Sequence, residues 1–175
     1  MGLLYERQDK YQLAMDFFNR LIAHDSTFPP VYNAKGMIFD KLEKYEQSYE
    51  EFSRAIELDK RNSVFYHNRG CCLKNMGRFD DSIGDFLQSL ALDPDNPLTY
   101  SNIGLVYRKM ERFPEAVEYF SKEIDLSGGA SKSYPYRAYC YVRLGMFHEA
   151  IQDYSMALES DPKNLQYLHN RGVCY

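Results

Sequence analysis

The sequence predicts an all-α solenoid of stacked antiparallel helix pairs. Four ladders of like residues recur every 34 residues, in one register, along a chain of 175. Two ladders are of small residues and two of aromatic ones, the alternation that closely approaching helices need. Gly, Pro and Asn punctuate the intervals where helices must end or begin.

Numbered so that Ser63 is position 1, position 8 recurs as Gly2, Gly36, Gly70, Gly104, Ala138 and Gly172. Position 20 recurs as Ala14, Ser48, Ser82, Ala116 and Ala150. Position 17 is Tyr11, Tyr45, Phe79, Phe113 and Phe147, and position 24 is Phe18, Phe52, Phe86, Phe120 and Tyr154. Small residues let two backbones approach, and the large ones fill the space on either side. An isolated pair cannot bury its apolar face, so stacking supplies the core. Most of the 16 Tyr and 11 Phe are absorbed by this packing role.

The stretch from Tyr66 to Pro94 carries the pattern in full: Tyr66, Arg69, Gly70, Leu73, Phe79, Ser82, Phe86, Ser89, Pro94. It resembles the tetratricopeptide repeat (TPR), a helix–turn–helix unit with this spacing of large and small residues. Tyr66 stands where that family favours Trp. The resemblance implies a right-handed superhelix whose first helices line a concave groove and whose second helices form the convex back.

In chain order, Gly2 occupies position 8, so the sequence is expected to begin inside a first helix, with a second helix over Tyr11–Ala23. Pro29-Pro30 can start the next helix, where the first N–H groups lack helical partners anyway. Helix pairs are expected over 31–42 with 45–58, 64–75 with 79–92, 98–109 with 113–126 and 133–144 with 147–160, and a last helix near 165. Gly77 and Gly145 supply helix stops, and Asn96 and Asn164 supply N-caps. The array divides into a clipped repeat 1–28, full repeats 29–62, 63–96, 97–130 and 131–164, and the start of another at 165–175. Leu3, Leu4, Val173 and Tyr175 leave both ends without a polar cap, which reads as a fragment of a longer array. The segment Leu126–Ser131, with Gly128-Gly129 and no Pro at position 32, is expected to be the loosest junction. Pro135 either delays the following helix or removes a bond from it.

Composition narrows the function. A formal net charge of -4 argues against a dedicated nucleic-acid binder. No apolar run reaches the ~18 residues that span a membrane, and no secretory signal opens the chain. Cys72, Cys140 and Cys174 share position 10 and read, with Cys71, as buried reduced thiols, which fits a cytoplasmic, reducing compartment. The histidines His24, His67, His148 and His169 form no constellation, and Gly128-Gly129 is no phosphate loop. Asp80-Asp81 and Glu50-Glu51 read as solvated faces. No catalytic residue, metal site or cofactor is expected, and the chain does not read as an enzyme.

Charge follows helix type. From Pro29 on, the first helices carry Lys35, Lys41, Arg69, Lys74, Arg108, Lys109, Lys132, Arg137, Arg143 and Arg171 against Asp40 alone, while the second helices are acidic. With the TPR geometry this becomes a basic groove that focuses potential on a partner; the competing reading pairs these bases with acids of neighbouring helices. Lys74, Arg108, Lys109 and Arg143, at positions 12 and 13, are expected to line one continuous basic strip, and Lys41 and Lys132 are further bases of the expected groove. Asn68, Asn102 and Asn170 share position 6, and TPR arrays that hold extended peptides use such amides on the peptide backbone; bonding within their own helices is the alternative. Asn33 and His67 complete the expected groove. The family's clamp for chaperone C-terminal tails would need Lys, Asn, Asn, Lys and Arg where this chain has His67, Cys71, Asn102, Lys132 and Tyr136, so that partner is disfavoured. The sequence therefore reads as a module binding other proteins, through acidic or extended segments. The alternatives are a scaffold in a cytoskeletal or ciliary assembly, or the substrate-reading arm of an enzyme.

Overall fold

A computed structural model describes residues 2–128 and 131–175, with side chains from Lys10 onward. The described residues form ten α-helices, with no strand among them. They fall into two compact units, Met1–Leu92 and Asp93–Tyr175.

The first unit holds α1 (Gly2–His24), α2 (Pro29–Lys41), α3 (Tyr45–Leu58), α4 (Ser63–Asn75) and α5 (Phe79–Leu92). Pro29 and Pro30 start α2, and the Asn62 side chain accepts from the Val64 N–H to cap α4. Position 8 meets position 24 here. A Cβ on Gly36 would stand 2.6 Å from the Phe52 ring, and one on Gly70 would stand 2.8 Å from the Phe86 ring. Only the missing side chain lets the rings lie on the helix backbone. Position 20 adds a bond to the same place: Ser48 Oγ donates to the Gly36 carbonyl at 2.9 Å and Ser82 Oγ to that of Gly70 at 2.7 Å. Tyr32, Ala55, Ile56 and Phe65 close the core between α2, α3 and α4.

One expectation fails at the start of the chain. The break before Tyr11 is absent, and α1 runs unbroken from Gly2 to His24. The reason lies at position 15. In each full repeat that residue takes a left-handed backbone: φ is 58° at Glu43, 77° at Gly77, 58° at Glu111 and 74° at Gly145. Asp9 holds the same position and stays helical. Among residues 2–28, no complete first helix folds back on α1, so nothing offsets the left-handed cost of roughly 1–2 kcal/mol. The side chains of Leu3 and Leu4 lie outside the described ones, whereas Val173 and Tyr175 are exposed.

The second unit holds α6 (Pro97–Lys109), α7 (Phe113–Leu126), α8 (Tyr134–Arg143), α9 (Phe147–Ser160) and α10 (Leu165–Val173). Asn96 and Asn164 cap α6 and α10 as expected. Pro135 acts by delay: α8 begins only at Tyr134, which leaves Lys132 on the approach to the helix. Gly129 and Ala130 of the junction expected to be loose lie outside the described residues. Their described flanks are tied to one buried carboxylate, because Glu123 accepts hydrogen bonds from both Ser127 and Ser131. The position 8 and 24 pairing repeats, with a Gly104 Cβ falling 2.7 Å from Phe120. Gly172 on α10 has open space there instead.

Candidate functional site

Position 7 decides which bases are available to a partner. Arg69 makes a bidentate pair with Asp85 at 2.7 and 2.8 Å, and Arg137 makes one with Asp153 at 2.8 Å through both nitrogens. Lys35 reaches Glu51 at 2.6 Å. Each acid sits at position 23 of the second helix in the same repeat. A further nitrogen of Arg69, Arg137 and Arg171 donates to Ser53, Ser121 and Ser155, position 25 of the preceding repeat. These bases staple second helices together. Asp85 and Asp153 are correspondingly buried and Glu51 half-buried, so the expectation of solvated acidic faces holds only for Glu50, Asp80 and Asp81. The basic groove is thus thinner than the sequence count of ten suggests.

In the first unit, the Asn68 amide donates to Asn33 Oδ1 at 2.8 Å, and Asn75 donates to Asp40 at 3.3 Å. His67 Nε2 lies 3.6 Å from Cys71 Sγ, and burial, aided by Lys74, pushes its pKa below the ordinary value. Lys41 is exposed and Lys74 half-buried, both in the last turns of their helices. Met37, Asp40, Asn68 and Cys71 surround a cavity of about 140 Å³ over Phe52.

The second unit is aromatic. The Arg108 guanidinium lies 5.2 Å from the Tyr136 ring centre and 5.6 Å from that of Tyr139. Arg143 lies 4.6 Å from Phe113 and 5.9 Å from Tyr139, and donates to the Tyr139 hydroxyl at 2.9 Å. Such contacts hold a cation in place without neutralising it. Arg108 Nε is buried without a hydrogen-bond partner, whereas Lys109 and Lys132 are exposed. Asn102 donates to the Leu98 carbonyl of its own helix. Asn170 donates to the Tyr154 hydroxyl and accepts from Gln166. The position 6 amides are therefore engaged within the protein, Asn102 within its own helix and Asn68 and Asn170 with side chains of neighbouring helices. Sequence reasoning passed over Tyr139 and took Tyr136 as a mismatch to the chaperone-tail clamp, not as a partner for cations. Two tyrosines three residues apart in a helix with two arginines were the available signal.

Burial pushes the thiols of Cys71 and Cys140 up to about 11. Among the described residues, no group of three or more His, Cys, Asp or Glu is placed to hold a metal ion, and no helix is long and apolar enough to cross a membrane.

Comparison with known families places this geometry. Tetratricopeptide repeat families match residues 1–26, 29–62, 51–84 and 102–165, and a TPR repeat family matches 73–111. The chain belongs to the TPR family. Solved TPR structures share its fold. MamA superposes with a TM-score of 0.82 at 20% identity, over 95% of this chain and 98% of that one. YrrB, a TPR protein with an unusual peptide-binding site, gives 0.78 at 20% identity, over 90% and 81%. The first TPR domain of Spaghetti (RPAP3), bound to an HSP90 peptide, gives 0.61 at 22% identity, over 66% and 92%. No curated protein sequence matches the chain.

Proposed function

We propose that this TPR chain is a non-catalytic protein-interaction module that takes acidic, extended partner segments on its first-helix faces. Its repeats are those expected from the ladders, 29–62 to 131–164, flanked by partial units 1–28 and 165–175. The observation that carries the reading is in the second unit. Among the described residues Arg108, Lys109, Lys132 and Arg143 make no ion pair, and α6, α8 and α10 contain no acidic residue. Peptide binding by YrrB and by the RPAP3 domain supports such a role in this family at the level of fold. The partner proposed is not a chaperone tail, because His67, Cys71 and Tyr136 stand where the tail clamp needs Lys, Asn and Arg. A reducing, cytoplasmic setting suits the four free thiols.

The test reverses Lys109 and Lys132 to Glu together. Arg108 is unsuited to reversal, since its half-buried guanidinium packs on two tyrosine rings. Exposed charges contribute little to folding, so the melt should hold. Titration with a Glu-rich peptide should show lost affinity in the variant, and added salt should weaken the unmodified complex. Affinity indifferent to both would transfer the role to a scaffold contact, with the exposed Leu165, Val173 and Tyr175 as the surface to examine.

A further inference from the structure

Each unit repeats one notch between successive first helices. Positions 9 and 12 of one helix and 6 and 9 of the next frame it, over the aromatic ring at position 24. In the first unit Met37, Asp40, Asn68 and Cys71 enclose about 140 Å³ above Phe52. In the second unit Tyr139, Val142, Asn170 and Val173 enclose about 430 Å³ above Tyr154. Only the second falls in the ~300–1,000 Å³ range usual for ligand pockets.

The residues explain the difference. In the first notch, amide bonds from Asn68 to Asn33 and from Asn75 to Asp40 tie α2 and α4 together across the gap. In the second, the Asn170 amide turns down to the Tyr154 hydroxyl and accepts from Gln166 on its own helix. Position 12 changes from Asp40 to Val142, and position 9 of the following helix from Cys71 to Val173. The larger notch is therefore mostly apolar, with Gln166, His169 and Asn170 as its polar lining, and Val173 stays 69% exposed on its wall.

Tyr139 joins this notch to the cations. One side chain lines the cavity, accepts a hydrogen bond from Arg143, and offers its ring to Arg108 and Arg143. Both guanidiniums are held by aromatic faces instead of carboxylates; the acid that acts on Arg143 is Glu111, in the turn after α6. An apolar cavity beside two fixed cations complements one kind of partner. We infer that the notch over Tyr154 receives a bulky apolar side chain of a partner segment whose adjacent residue is acidic. This rests on the interaction-face reading above and adds its specificity.

Three fluorescent peptides of equal length test it: one alternating Glu with Leu, one alternating Glu with Ser, and one alternating Gln with Leu. The Glu–Leu peptide should bind about tenfold tighter than either of the others. Val173→Gln, an exposed change, should remove most of its advantage over the Glu–Ser peptide and leave the latter unchanged. Tyr139→Phe, which keeps the ring but releases Arg143, should narrow its advantage over the Gln–Leu peptide. Met37→Gln in the first notch should do neither. Equal binding of the Glu–Leu and Glu–Ser peptides, both weakened by Lys109→Glu with Lys132→Glu, would overturn the side-chain receptor and keep the basic face. Binding of none of the three would overturn both. A chain that dimerises through Val173 would also overturn it, by showing a second copy in the notch.

Discussion

Arg137 does three things with one side chain: it pairs with Asp153, donates to Ser121, and lies over Tyr134 and Tyr141. Asp153 is only 4% exposed, so losing the arginine strands a buried carboxylate. Arg137→Ile should cost about 3–5 kcal/mol in a denaturant melt. The chain contains its own control. In repeat 97–130, positions 7 and 23 are Ile103 and Tyr119; Ile103 is fully buried, and the Tyr119 ring packs on Tyr100 and Tyr107. Adding Asp153→Tyr to Arg137→Ile should therefore recover most of the loss, and a double variant as unstable as the single one would contradict this account. Gly104 is the complementary case. A side chain there collides with the Phe120 ring, so Gly104→Leu should cost on the order of 1–3 kcal/mol or more. An unchanged melt would rule out the close helix approach.

At the scale of the element, the turns between paired helices are uniform in shape and uneven in sequence. Position 15 is left-handed in all four full repeats, yet Gly fills it only at Gly77 and Gly145. Glu43 and Glu111 hold a conformation that disfavours a Cβ. Packing of the two helices imposes the turn, and the residue accommodates it. Glu111→Gly should relieve that strain and raise stability by roughly 0.5–1 kcal/mol, net of the entropy Gly adds to the unfolded chain. A destabilised variant would show that the Glu111 side chain contributes more than its backbone costs. The same logic explains α1. Position 15 at Asp9 lacks a folded-back partner, and the helix continues through it.

For the whole molecule, the four cysteines report on integrity. Burial raises the pKa of all four thiols, and none is in a disulfide. The thiolate is the reactive form, so alkylation of the folded chain near neutral pH should be slow and should accelerate for all four on unfolding. Rapid labelling of Cys72 or Cys140 in the folded chain, counted by mass spectrometry, would show that position 10 is not a packing site. Within each unit stability is likewise shared between repeats: Arg69 joins Asp85 to Ser53, and Arg137 joins Asp153 to Ser121.

The repeat length, the helix pairs from Pro29 on, the caps at Asn96 and Asn164, and the close approach at the small residues of position 8 were all legible in the sequence. They are set by side-chain size and backbone freedom, which recur with the period and need no knowledge of neighbours. The fate of the charges was not legible. Arg69 and Arg108 look alike in a first helix, yet one is neutralised by Asp85 and the other is held by Tyr136 and Tyr139. The two notches are also alike in register, yet amide bonds cross one of them and not the other. Coulomb pairing and cavity volume depend on distances between residues far apart in the chain, and those distances exist only once the helices have packed.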